Sequence, residues 1–257
     1  RCYLGAFSAV SGATVDSLKL NGTLVYSGKV SGQVTAPVYI GGLAGLVTES
    51  VTVKESSTAI NITLRDEYTG QYSKNLYAGG FFGKVGKNAS AALSVTNSVI
   101  APVISHESGY NGGNHNAYIG GAAGSVVSSG DVIFTGNTVK TGITQTHNVT
   151  NAFVGGVFAE LTCAAYSDLD LRGTVADGAE IVVNASASAG GLLGRDSTKC
   201  RILMNSLWEG RVINNGGADV AGGLLYSLSG KLTAENGFSL GTSTFRANGS
   251  TRGALLG

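Results

Sequence analysis

The chain has 257 residues, a formal charge of +1, 43% hydrophobic residues and only 13% charged ones, the last about half the usual share. Such a sequence is too apolar for disorder and has no basic stripe for phosphate, which argues against a nucleic-acid partner. No run approaches the roughly 18 apolar residues of a membrane span. Forty glycines stand against two prolines, Pro37 and Pro102, amid abundant Val, Thr, Ser and Ala. This composition predicts many short strands joined by tight turns.

One phrase recurs from end to end. Tyr3-Leu4-Gly5-Ala6-Phe7 is followed by Tyr39-Ile40-Gly41-Gly42-Leu43-Ala44-Gly45, Tyr77-Ala78-Gly79-Gly80-Phe81-Phe82-Gly83 and Tyr118-Ile119-Gly120-Gly121-Ala122-Ala123-Gly124. Further copies start at Phe153, Ser188 and Val220, and a degenerate one runs Arg252-Gly253-Ala254-Leu255-Leu256-Gly257. The first glycines stand at 5, 41, 79, 120, 155, 190, 222 and 253, with spacings of 31–41 residues. Between copies lie alternating runs broken by a small polar turn, such as Leu93-Ser94-Val95-Thr96-Asn97-Ser98-Val99 and Leu169-Asp170-Leu171-Arg172-Gly173-Thr174-Val175. Alternation at period two marks half-buried strands, and three strands with three turns fill one such coil.

The prediction is an all-β, right-handed parallel β-helix (β-solenoid) of about seven coils, forming one domain over 1–257. A single coil cannot bury its own apolar face, but piled coils can. Stacking aligns Phe7, Leu43, Phe81, Ala122, Val157, Leu192, Leu224 and Leu255 in one apolar column, and Tyr3, Tyr39, Tyr77, Tyr118 and Phe153 in an aromatic ladder. The glycine pair serves either positive φ or close backbone approach. Ile40, Ile119 and Val154, with Phe82, Phe158, Leu193 and Leu225, fall on the opposite face from the ladder. A strand apolar on both faces is covered by another layer or makes a lateral contact between solenoids.

The phrase Gly190-Gly191-Leu192-Leu193-Gly194, followed by Ile202-Leu203-Met204-Asn205-Ser206 and Gly210-Arg211-Val212, resembles the GLUG-motif repeat of large surface and secreted proteins. Weaker echoes cover nearly the whole chain. The resemblance implies β-helical architecture and an extracellular or cell-surface location, as in bacterial adhesins, rather than an activity. The second and third coils are longer than the pattern, and the copy at Gly155 ends in Ala159. His106-Glu107 lacks the second histidine four residues on that a zinc-peptidase helix requires.

Six Asn-x-Ser/Thr sequons occur, at Asn21, Asn61, Asn88, Asn148, Asn184 and Asn248. The last three lie 7, 6 and 5 residues before the next motif glycine, which places them at one corner, where a glycan can project. They are glycosylation sites if a eukaryote secretes the chain, and polar turn asparagines if the source is bacterial. Cys163 and Cys200 fall at similar phases in adjacent coils, close enough for a disulfide, with two buried thiols as the alternative. Cys2 is left over, and three cysteines without C-x-x-C spacing make no metal site. His106, Glu107 and His115 lie in the insertion 105–116, which reads as a flexible polar loop rather than a metal site. Asp168 and Asp170 share a strand face, where solvation is the expected fate of alternating acids.

No catalytic residue, cofactor or metal is predicted. The chain starts at Arg1 without a signal-type run, as a processed chain or a fragment would. Because it begins and ends inside the motif, end-to-end self-association into a surface fibre, sheath or stalk is expected. An adhesin that binds a host protein or glycan is the second reading, and a carbohydrate-active enzyme the third.

Overall fold

The computed structural model describes residues 2–30, 36–68, 75–86, 91–108, 113–147, 149–163, 167–184, 187–196, 201–205, 207–215, 221–222, 231–234, 239–240, 244–247 and 252–253. The described residues are all-β, every recorded strand pair is parallel, and three sheets wind into a β-solenoid. The first sheet takes one strand from each repeat: Cys2–Leu4, Val38–Gly41, Leu76–Gly79, Gly113–Gly120, Val149–Gly155, Ala187–Gly190, Ala221–Gly222 and Arg252–Gly253, in that spatial order. The repeat glycines lie opposite one another at each step from Gly41 through Gly79, Gly120, Gly155, Gly190 and Gly222 to Gly253. Coils of different length therefore keep one register at the glycines, and within this sheet the pairing shifts by one residue between Gly113 and Asn116.

The second sheet follows the glycine corner with strands such as Ala44–Val47 and Val51–Lys54, and the third holds longer ones, Lys19–Val30, Ser57–Tyr68 and Val175–Val183 among them. Their inward residues stack like on like. Val47, Val85, Val126 and Leu161 form one column of the second sheet. Ile62, Ile104, Ile143, Ile181 and Val212 form one of the third. Leu43, Phe81, Ala122, Val157 and Leu192 are each at most 2% exposed and belong to the same interior. Burying each large side chain contributes about 1.5–3 kcal/mol, and it is stacking that completes the burial. Phe7 does not join this column: the first coil is one residue shorter at the corner, so Phe7 falls opposite Ala44 rather than Leu43. It is 56% exposed because its strand Phe7–Val10 pairs on one side only. Leu224 and Leu255 lie outside the described residues.

Close approach, not positive φ, explains the repeat glycines: Gly41, Gly79, Gly120 and Gly155 are absent from the left-handed region. A Cβ on these four would lie 1.9–2.3 Å from the carbonyl oxygens of Ala44, Phe82, Ala123 and Phe158. The third glycine of the phrase meets the first sheet in turn. A Cβ on Gly83 would come 2.5 Å from Ile40 N, and one on Gly124 2.7 Å from Ala78 N. The second sheet thus folds back onto the outer face of the first, backbone against backbone.

That fold-back settles the strand with two apolar faces. Ile40, Ile119, Val154, Phe82, Phe158 and Leu193 face the interior. The ladder residues Tyr39, Tyr77, Tyr118 and Phe153 form a separate cluster with Ala159 of the second sheet. The covering layer is the chain's own next sheet.

A different device turns the chain from the second sheet to the third. Ser17, Glu55, Asn97, Gly136 and Gly173 all have φ between 48° and 70°, one per coil. Leu18 follows the first of these, and the residues after the other four, Ser56, Ser98, Asn137 and Thr174, each carry a polar side chain. The Ser56 hydroxyl accepts from Leu18 N at 3.0 Å, the Ser98 hydroxyl from Ser56 N at 3.1 Å, and the Asn137 side-chain oxygen from Ser98 N at 2.9 Å. Buried corner amides therefore find partners in the neighbouring coil, as interior polar groups must.

Gly124→Ala should lower stability by about 1–3 kcal/mol through overpacking, while Gly130→Ala, with nothing within 4 Å of its added carbon, should stay within about 0.5 kcal/mol. Leu192→Asp should cost at least about 3 kcal/mol, because it leaves an unpaired charge in the column. Urea denaturation of the three variants checks both expectations, and equal midpoints for the two glycine variants would remove the close-approach account.

Candidate functional site

Among the described residues, three groupings of side chains can do chemistry: the aromatic ladder, the surface acids and a buried histidine cluster. The ladder arises because parallel pairing sets each ring above the next. Centroids are 5.3 Å apart from Tyr3 to Tyr39 and from Tyr39 to Tyr77, then 4.9 Å to Tyr118 and 5.3 Å to Phe153, with interplanar angles of 9–20°. Beside it on the second sheet runs the in-register column Lys84, Ser125, Glu160 and Arg195. Lys84 Nζ sits 4.8 Å over the Tyr77 ring, and the Arg195 guanidinium 4.9 Å over Phe153. Tyr77 and Tyr118 are only 6% and 5% exposed, packed against one another and these cations, while Tyr3 and Tyr39 at the first-coil end are partly exposed. Burial pushes the Tyr77 phenol up to about 12, against the lowering effect of the hydrogen bond Asn75 Nδ2 donates to it at 3.0 Å. Burial also raises Tyr118 and lowers the Lys84 ammonium, with Glu160 pulling the latter back.

Several acids on the sheet surfaces are engaged by basic partners. Asp168, opposite Arg201 in register, takes a bidentate pair from it at 2.6 and 2.8 Å. Asp170 is held by Arg172 at 2.8 and 2.9 Å. Hydrogen bonds from these guanidiniums hold both carboxyls below the usual range. Lys54–Asp16, Arg65–Glu107, Lys140–Asp177 and Arg211–Glu180 add ion pairs between coils at 2.7–2.9 Å. A carboxylate paired in this way is ionised, which does not suit a general acid.

Among the sequons, Asn21, Asn61 and Asn184 are exposed. The first two lie on strands of the third sheet, within Lys19–Val30 and Ser57–Tyr68, and Asn184 follows Val175–Val183 at the corner leading to the first sheet. Asn215 Nδ2 donates to Asn184 Oδ1 at 2.7 Å. Asn88, Asn148 and Asn248 lie outside the described residues. Cys163 is disulfide-bonded and Cys2 is a free, partly buried thiol; Cys200 lies outside the described residues.

The insertion 105–116 is not the polar loop its composition suggests. His106 belongs to the strand Val103–Ser108 and His115 to Gly113–Gly120, which leaves only 109–112 outside the described residues. His106 lies opposite Leu64 on one side and Gln145 on the other, so strand alternation turns it inward behind Ile104. His106 and His115 are 0% and 2% exposed, and His147, in the corner after Gly142–Gln145, is 2% exposed. The His106 and His147 rings are 5.0 Å apart edge to face, and His115 and His147 are 6.0 Å apart. One ring nitrogen from each of the three lies within 4.8 Å of the others. His147 was not legible as part of a site, since the three stand 14, 5 and 8 residues before their next motif glycines and share no repeat phase.

No family model, curated protein or solved structure matches the chain.

Two titrations follow. A raised phenol stabilises the fold fully below the ordinary tyrosine value of about 10 and loses that contribution as pH rises through about 12 for Tyr77. Tyrosinate absorbance should therefore show a late step that Tyr77→Phe diminishes. For Asp168 the sign is opposite: its pair contributes above the ordinary carboxylate range and is lost as pH falls through the lowered value. Arg201→Met should return the Asp168 carboxyl toward its ordinary range in a carbon-NMR titration. Since Arg201 is 51% exposed, the accompanying stability loss should be only about 0.2–1 kcal/mol.

Proposed function

We propose that this chain is an extracellular structural scaffold, a subunit or segment of a surface fibre, sheath or stalk, and not an enzyme. The observation that carries this reading is the in-register pairing of every coil with the next, reinforced on the outside by ion pairs that also run from coil to coil. Both devices stiffen the long axis. Eight strands stacked in the first sheet give a rod about 34 Å long at roughly 4.8 Å per step. The first-coil strands pair on one side only, and they leave Phe7 more than half exposed. A further coil, from the same polypeptide or from a second copy, would cover Phe7 as the next coil's Phe82 covers its partner Ala44. Unpaired parallel edges are templates of this kind.

The resemblance to GLUG-motif repeats supports a surface location and agrees with the solenoid. Asn21, Asn61 and Asn184 are exposed, which leaves them open to glycosylation if a eukaryote secretes the chain. Adhesin-type recognition of a host protein or glycan is the reading to which a failure of assembly would point.

Negative-stain microscopy of the purified chain across a concentration series decides between them. Rods that lengthen with concentration well beyond a single solenoid are expected. Discrete particles of constant length at every concentration would overturn the self-assembling scaffold and leave the binding module. Intact mass before and after deglycosylation should fall by whole glycans if the sequons are used.

A further inference from the structure

The chain contains only three histidines, and all three meet at one buried point between the third and first sheets. Their columns are otherwise built for apolar stacking: His106 continues the line of Tyr26 and Leu64. Three imidazoles in such an interior cost desolvation that leucine would avoid. Next to them, Gln145 donates from Nε2 to the His147 carbonyl at 2.8 Å, while its buried Oε1 takes part in no hydrogen bond. The backbone holds the arrangement in place, since Thr146 donates both its amide and its hydroxyl to the His106 carbonyl at 3.0 Å.

We infer that His106, His115 and His147 form a binding site for one divalent transition-metal ion of the zinc class, which staples two successive coils together. Three converging imidazoles are the donor set of zinc, copper or nickel, whereas calcium and magnesium require oxygen ligands. Zinc–nitrogen bonds of about 2.0–2.1 Å set tetrahedral ligand nitrogens about 3.3 Å apart. Nitrogens already within 4.8 Å reach that spacing by side-chain rotation, without moving a strand. Three neutral ligands leave the ion doubly charged, so the fourth position takes water, hydroxide or the Gln145 amide oxygen. His106 and His115 flank the segment 109–112 and His147 comes from the following coil. The ion would therefore close the longest coil and tie it to its neighbour.

The test uses the whole chain, stripped with chelator and then titrated with zinc chloride in a calorimeter. One equivalent should bind, and the melting temperature should rise by several degrees and fall back on adding chelator. His147→Phe, which keeps a ring in the corner, should weaken zinc binding at least tenfold with an unchanged circular dichroism spectrum. Should that variant not fold, the wild-type histidine ring nitrogens, followed by long-range proton–nitrogen NMR, decide alone. Zinc must shift one nitrogen in each of the three rings. Failure to bind zinc, or binding that leaves the three rings unmoved, would overturn the site.

Discussion

Parallel pairing between coils places each residue directly above its counterpart one turn away, and most of this structure follows from that constraint. Backbone hydrogen bonds hold the coils about 4.8 Å apart, a spacing that suits ring on ring and branched side chain on branched side chain. A column is then only as good as its worst member. Leu43, Phe81, Ala122, Val157 and Leu192 vary in size but never in polarity. The same geometry lets Asp168 meet Arg201, and Glu180 meet Arg211, across neighbouring strands of the surface.

The corners are where the coil departs from a simple tube. At the glycine corner the chain reverses so tightly that the second sheet lies against the outer face of the first, and columns of missing side chains make the space. This creates a second, smaller apolar layer, the aromatic ladder, outside the main core. The opposite solution appears where the second sheet turns into the third. There left-handed residues bend the chain, and at Ser17, Glu55 and Asn97 they are not glycine, at a cost of about 1–2 kcal/mol each. Serine and asparagine side chains in the following position offset that cost by satisfying buried amides of the adjacent coil.

Against so regular a background, a broken rule stands out. His106, Gln145 and Asn214 occupy interior places in a column that holds Tyr26, Leu64 and Val183 elsewhere. Asn214 answers its own demand by donating to the Ala187 carbonyl at 2.8 Å. The histidines answer theirs collectively, which is why the metal reading attaches to them. Local inconsistency inside an otherwise consistent fold is where special roles concentrate.

The repeat phrase by itself determined the solenoid, the register of its glycines and the inner column from Leu43 to Leu192, because a period shared by glycine, tyrosine and leucine has one economical stacking. It misplaced Phe7, which the shorter first corner sets opposite Ala44. It also brought Asp168 and Asp170 onto one strand face, through simple alternation. What the glycines do, which layer covers the tyrosines and where the histidines go were decided only in three dimensions. Gly41 and Gly83 are explained by backbone atoms of other strands, and no local pattern records those distances. His106, His115 and His147 look like loop and corner residues along the chain, because their meeting point depends on two sheets and two coils closing around it. Periodicity reports what recurs in every turn; a site assembled once, from unlike phases, leaves no period to read.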